Sequence, residues 1–403
     1  MAKFSFEKTS IPSGIKPEEW QDWTWQLRNS LKTKDDFQRY FTLSKAELNG
    51  FSAGKEVFNI RTTPYYASLV GPAEHDPLRR IFMPREEELV SGTQQMLDPL
   101  AEKTNQVASR LIHRYSDRVL FLVTDICSVY CRFCTRKHFT GADQALIKPA
   151  EYEQALGYIR SHSGIREVIL SGGDPLTLSD SHLDRLLFDL RRIPHVEIIR
   201  VGSRMPVVAP QRITVELASI LRRHKPVFVM THFNHPRELT FEAATAVENL
   251  VDHGVPVMNQ MVLLNGVNNH AAIVQALSRR LLFLRAKPYY MFQCDPSLGT
   301  DHLRTSIAQS TSIQRELWGH LSGLAMPNFA VDIPEGGGKT VLTPDFEISR
   351  LSESNEHGEI RSYKGWDGVE AEYISPVESR MSTPLDVEMY LAEWDQLKKA
   401  KLK

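Results

Sequence analysis

From residue 119 onward the chain changes rhythm, and short β-branched runs alternate with longer amphipathic stretches until about residue 332. The runs are 119–124, 167–170, 196–201, 227–231, 257–264, 287–292 and 328–332, and helix-like segments at 149–161, 181–191, 215–223, 241–252 and 271–283 separate most of them. Strands alternating with helices build βαβ units, whose parallel strands join through right-handed crossovers. Six or seven such units predict an α/β barrel, closed or partly open, rather than a flat sheet. Polar residues follow the strands: Asp125, 172–174, Ser203 and Arg204, 232–235, and Asp295. At the C-terminal ends of barrel strands such residues share one face, the face on which active sites form.

Ahead of this block, residues 1 to about 110 read as mainly helical, with helical pieces expected at 18–30, 44–49 and 86–90 and a turn packed on the core at 62–69. Behind it, the polar, glycine-containing stretch 352–373 predicts an exposed hairpin or loop, and 384–403 a terminal helix with a lysine-rich end. The expected organisation is thus a helical N-terminal region (1–110), a barrel (111–345) and a C-terminal extension (346–403). A formal net charge of -1 over 403 residues argues against bulk electrostatic binding to nucleic acid or membrane. No apolar stretch reaches the ~18 residues of a membrane span, and no basic-then-apolar run opens the chain, so a soluble cytoplasmic protein is expected.

The chain has four cysteines, and three of them, Cys127, Cys131 and Cys134, fall in one C-x3-C-x2-C run just after the first strand. Clustered cysteines in a long chain point to metal or catalysis rather than to a disulfide framework. Cubane iron–sulfur clusters are held by thiolates and normally take four ligands, so three local thiolates leave one iron open. Structural zinc is the competing reading, since it also wants four ligands and His138 and Cys294 are available. The pair Gly172 and Gly173, flanked by Ser171 and Asp174, follows the second strand, where by themselves they read as a plain turn between strand and helix, and where missing Cβ atoms also permit close backbone approach to a ligand.

The other unusual stretch is Pro334-Glu335-Gly336-Gly337-Gly338-Lys339-Thr340. A nucleotide phosphate loop needs G-x4-G-K-[ST] between a strand and a helix. Ile333 stands where its first glycine belongs, and Val341 and Leu342 discourage a following helix. An exposed flexible lysine and a Schiff-base lysine, activated by desolvation, remain the two readings.

The cysteine triad, with Phe133 before its third member, resembles the signature of radical S-adenosylmethionine enzymes, in which the open iron chelates the amino and carboxylate groups of S-adenosylmethionine. More widely, residues from about 60 to 345 are similar to the lysine 2,3-aminomutase family. The matching stretches include Thr63-Pro-Tyr-Tyr-Ala-Ser-Leu69, His113-Arg-Tyr, Asp117-Arg-Val-Leu-Phe-Leu, Cys127 to Phe139, Leu170-Ser-Gly-Gly-Asp, Thr231-His-Phe-Asn-His-Pro, Gln293-Cys-Asp and Gly336 to Thr340.

This resemblance implies a partial (β/α)6-type radical S-adenosylmethionine barrel with a [4Fe-4S] cluster on Cys127, Cys131 and Cys134. It implies S-adenosylmethionine held by Ser171, Gly172, Gly173 and Asp174, with Ser203, His232 and Gln260 at later strand ends. Lys339 takes the role of the lysine that carries pyridoxal 5′-phosphate, and Arg114 and Arg118 match arginines near that cofactor's phosphate. Arg136 matches the arginine that meets the substrate carboxylate, and Asp295 and Asp332 the two aspartates that hold a distal ammonium. Relatives that use glutamate carry a lysine and an asparagine there. The implied reaction moves the α-amino group of L-lysine to its β-carbon. Arginine 2,3-aminomutase, and a lysine 2,3-aminomutase serving elongation-factor modification, are the alternatives. A flavodoxin or ferredoxin as electron donor and a homo-oligomer are also implied. No cysteine follows Cys294, so the inter-subunit zinc of some relatives is not expected.

Overall fold

The computed structural model describes residues 4–399, apart from 91, 93, 138, 141–145, 356, 357, 377–382 and 385. His138, a candidate zinc ligand, lies outside the described residues.

Ten strands form one sheet in sequential order: β1 (Gln106–Ala108), β2 (Leu111–Tyr115), β3 (Arg118–Thr124), β4 (Glu167–Gly172), β5 (Ile198–Gly202), β6 (Val227–Thr231), β7 (Val257–Leu263), β8 (Ala286–Gln293), β9 (Asn328–Ile333) and β10 (Gly338–Val341). All pairings from β3 to β9 are parallel, whereas β1–β2–β3 and β9–β10 are antiparallel. All seven expected strand runs are therefore present, side by side and in chain order.

The sheet is open at β1 and β10, yet strongly curled. Flat, it would hold β2 and β10 about 38 Å apart, eight spacings of ~4.8 Å. Instead Lys339 Nζ on β10 lies 5.7 Å from the ring of Tyr115 on β2. Glu335 also donates its backbone N–H to the Pro99 carbonyl at 3.2 Å, so the segment before β1 meets the loop before β10. This is a partial barrel in which β10 approaches β2 across the interior.

The crossover helices are Pro149–Ser161, Asp180–Arg191, Val215–Arg223, Phe241–Asp252 and Ala271–Phe283, as the periodicity predicts to within one residue. In Asp180–Arg191 the buried positions are Leu183, Leu186, Leu187 and Leu190, the i, i+3, i+4, i+7 stripe of a helix with one face on a sheet. Ser179, Thr214 and Thr240 cap their helices through side-chain oxygens that accept backbone N–H bonds.

The N-terminal region departs from expectation in detail. The helix expected at 18–30 is two short ones, Pro17–Gln21 and Trp23–Arg28, because Asp22 accepts the Thr24 N–H at 2.8 Å and restarts the helix. The 62–69 turn contains a one-turn helix, Pro64–Ser68, whose Tyr65 and Tyr66 are wholly buried against the barrel. At the other end, the expected hairpin or loop is a three-stranded antiparallel sheet: β11 (Glu347–Asn355), β12 (Gly358–Lys364) and β13 (Glu370–Ser375). The terminal helix runs Glu388–Lys399.

Candidate active site

The loop after β3 carries the three cysteines into a cavity of about 310 Å³ at the C-terminal ends of the parallel strands. Cys127, Cys131, Cys134, Arg136, Ser171, Gly172, Gly173, Asp174, Ser203, His232, Gln260, Asp295, Asp332 and Lys339 all line it. A second cavity of about 250 Å³ adjoins it, lined by Arg114 and Arg118 from β2 and β3. Arg136, Ser171, Gln260 and Lys339 belong to both. Lys339 thus stands between the thiols on one side and the arginines on the other.

Lys339 reaches this junction through the glycine run. Glu335, Gly336 and Gly338 have φ of 61°, 87° and 91°, in the left-handed region that favours glycine, and a Cβ on Gly337 would meet Ile333 Cγ2 at 2.5 Å. The run turns the chain sharply enough for β10 to pair back on β9 with Lys339 opposite Asp332. Their charged atoms are 3.6 Å apart. Phe292 and Tyr115 flank the ammonium at 5.3 and 5.7 Å from their ring centres.

Asp295, in the loop after β8, adds a second carboxylate. Its pKa is pushed up to about 7, chiefly by burial and then by the charge on Asp332, against the pull of Lys339, Arg114 and Arg304. Asp295 and Asp332 line the cavity near Lys339, apart from Asp174, which Ser203 and Arg204 engage. Such a pair has room for a further cation.

The arginine cavity fits a phosphate. Arg114 has two buried guanidinium nitrogens, Nε and Nη2, without a hydrogen-bond partner. Buried donors of that kind are costly unless an acceptor meets them. Arg118 is half-buried, donates to Asp117 at 2.6 Å and lies 4.0 Å from the Tyr115 ring centre. Guanidinium forks match phosphate oxygens.

The thiol cavity fits a cluster. Burial, reinforced by neighbouring thiols, holds the Cys127 and Cys134 thiols above their ordinary range, so thiolates here call for a bound cation. Among the described residues no three His, Cys, Asp or Glu side chains converge on a point fit for a single metal ion. A cubane, whose irons are ligated separately, does not require them to. His232 presents a buried Nε2 without a partner, has its pKa driven down to about 3 by burial and then by Arg204, and lies 5.3 Å from the Phe133 ring.

Other expected residues are engaged within the protein. Asp174 accepts from Ser203 Oγ at 2.7 Å, from the Arg204 N–H at 2.7 Å and from the Leu176 N–H at 3.0 Å, so Asp174 and Ser203 fasten the β4 loop to the β5 loop. A Cβ on Gly172 would meet the Thr124 carbonyl at 2.3 Å, and one on Gly173 the Ile126 carbonyl at 2.2 Å. The close approach these glycines allow is to the start of the cysteine loop. Arg136 Nε donates to Glu102 at 2.9 Å and its Nη1 to Ser171 Oγ at 3.2 Å.

Comparison with known proteins accords with this arrangement. The Radical SAM superfamily profile matches residues 121–275, and the Lysine-2,3-aminomutase profile matches residues 314–396. L-lysine 2,3-aminomutase of Clostridium subterminale is 43% identical over 364 residues, 90% of this chain and 86% of the relative. That of Fusobacterium nucleatum subsp. nucleatum is 44% identical over 354 residues, 87% and 83% of the two chains. The chain belongs to the lysine 2,3-aminomutase family. Glutamate 2,3-aminomutase of Clostridioides difficile is 38% identical over 357 residues, 88% of this chain and 83% of its own, so family membership leaves the substrate to be read from the site. A radical SAM methyltransferase from Sphaerobacter thermophilus overlays 55% of this chain and 68% of its own at a TM-score of 0.41 and 18% identity, too loose a likeness to place residues.

Three residues that line these cavities, Glu102, Tyr115 and Arg204, were given no role from the sequence. Glu102 holds Arg136, Tyr115 lies under Lys339 and Arg118, and Arg204 touches Cys131. Arg204 carried a signal, since it follows β5 as the other site residues follow their strands. Glu102 carried none, because its loop lies outside the strand–helix rhythm.

Proposed function

We propose that this chain is an L-lysine 2,3-aminomutase, converting L-lysine to L-β-lysine with a [4Fe-4S] cluster, S-adenosylmethionine and pyridoxal 5′-phosphate. The observation that carries this reading is Lys339, paired with Asp332 and standing between the thiol cavity and the unpartnered Arg114. When bound, S-adenosylmethionine on the reduced cluster supplies a primary alkyl radical able to break an unactivated C–H bond, and pyridoxal phosphate supplies an electrophilic carbon and a ring that delocalises spin.

The protein's share is placement. Cys127, Cys131 and Cys134 hold the cluster at the mouth of the barrel. Arg114 meets the cofactor phosphate with its two free donors, Arg118 approaches from the next strand, and the Lys339 amine anchors the cofactor. Arg136 turns from Glu102 to the substrate carboxylate. Asp332 and Asp295 bracket the distal ammonium, which takes over the position opposite Asp332 now held by the Lys339 ammonium. A γ-carboxylate in that place would face two carboxylates and be repelled. Arginine's guanidinium is a larger planar fork than a compact ammonium, so pocket depth separates the two cations. We place the enzyme in the cytoplasm as a homo-oligomer served by a flavodoxin- or ferredoxin-class donor.

Anaerobic assays with each cofactor omitted in turn test this reading. β-Lysine forms only when cluster, S-adenosylmethionine, pyridoxal phosphate and reductant are all supplied. Undiminished formation without pyridoxal phosphate, in protein shown to contain none, would overturn it.

A further inference from the structure

One polar cluster beneath the cysteine loop has no part in the scheme above. Arg204 is buried, and its guanidinium has four partners, the most distant oxygen being the His232 carbonyl, which accepts from Nε at 3.4 Å. Nη1 donates to Cys131 Sγ at 2.9 Å, and Nη2 donates to Glu238 Oε1 at 2.7 Å and to Tyr66 Oη at 2.8 Å. Glu238, in the loop after β6, is wholly buried. Its Oε1 also accepts the Tyr66 hydroxyl at 2.6 Å, and its Oε2 accepts the Asn234 and His235 backbone N–H groups at 2.5 and 2.9 Å. Tyr66 comes from the Thr63-Pro-Tyr-Tyr stretch, which the catalytic reading leaves without a task.

A buried ion pair is expensive, and one kept only for packing needs no third arm. Here the fork is clamped on one side by Glu238 and Tyr66, and its other side is aimed at sulfur. As a pair, Arg204 and Glu238 are neutral at a distance, but at the sulfur the positive end is nearest. Hydrogen bonds to ligand sulfurs set iron–sulfur potentials, because reduction adds electron density that a donor stabilises.

We propose that Arg204, clamped by Glu238 and Tyr66, is a positioning residue that raises the reduction potential of the cluster through its hydrogen bond to Cys131. The proposal rests on the reading that Cys131 is a cluster ligand. The step concerned is the addition of one electron, from a flavodoxin- or ferredoxin-class donor or from dithionite, taking [4Fe-4S]2+ to [4Fe-4S]+. The guanidinium keeps all its protons throughout.

The test is an EPR-monitored redox titration of anaerobically reconstituted protein, with iron and sulfide counted for every sample. Arg204→Gln is expected to keep its iron and to become at least tenfold harder to reduce, a shift of ~59 mV or more to lower potential for one electron. Arg204→Leu combined with Glu238→Gln removes both charges, so it strands no buried carboxylate if the single variant fails to fold. It is expected to shift the same way. Wild-type potential in both variants at full iron content, or loss of the cluster from both, would overturn the tuning role. The ligand reading fails separately, if Cys131→Ala retains a full cluster with an unchanged EPR signal.

Discussion

Asp295 links the pocket to a measurable proton. Its ordinary pKa of 3.8 is raised to about 7 by burial and by Asp332. At pH 6 the free enzyme therefore holds about 0.9 proton on this carboxyl, and at pH 8 about 0.1. A distal ammonium beside it favours the carboxylate and expels that proton. Lysine binding at pH 6 should release about 0.9 proton more than norleucine, which has the same chain length and no distal amine, and at pH 8 the two should differ by only about 0.1. Lysine affinity should accordingly rise nearly tenfold per pH unit below about 7 and level off above it. Titration calorimetry in two buffers of different ionisation enthalpy, without reductant so that no turnover occurs, reads the proton count. The sign for stability runs the other way. Between pH 3.8 and about 7 the unfolded chain has already lost the proton that the folded chain keeps, so stability falls as pH rises through that window. Asp295→Asn should flatten both profiles. Equal proton release by lysine and norleucine at pH 6, or wild-type release from Asp295→Asn, would refute the reasoning.

Replacing Cys127, Cys131 or Cys134 by Ala should abolish the cluster, whereas Cys294→Ala, whose thiol is buried beside the Asp295 carbonyl, should leave iron content nearly unchanged. Arg114→Gln should weaken pyridoxal phosphate binding by about tenfold or more, read by cofactor titration, because charge-assisted bonds of ~1.5–3 kcal/mol are lost, while iron is retained. Borohydride reduction should fix pyridoxal phosphate on Lys339, and Lys339→Ala should retain the cluster but no trapped cofactor. Gly338→Ala places a Cβ at φ 91°, at a cost of ~1–3 kcal/mol, and should displace Lys339 and lower the trapped fraction.

The barrel was legible because its strands and helices bury one face each, so burial writes its period into the chain. The five crossover helices from Pro149–Ser161 to Ala271–Phe283 follow from that alone. Short N-terminal helices were harder. Asp22 ends one helix and begins another through a single side-chain bond, which periodicity does not register. The C-terminal sheet was read only as an exposed hairpin or loop, because β13 is almost entirely exposed and no alternation marks a third strand. In the site, chemically distinctive residues such as the cysteines and the glycine-flanked lysine stood out. The Tyr66–Glu238–Arg204 clamp did not, since Tyr66 and Glu238 lie 138 and 34 positions from Arg204 and the three meet only in three dimensions.

The central claim is that this pocket turns over an amino acid with a distal ammonium, and product analysis with lysine, arginine, glutamate and ornithine offered separately tests it most directly. L-lysine should be the preferred substrate, and Asp332→Ala or Asp295→Ala should lower its turnover at least ~100-fold, the scale of a buried charge left unpaired, while cluster and cofactor stay bound. Preferred turnover of glutamate, or lysine turnover indifferent to both aspartates, would contradict the account.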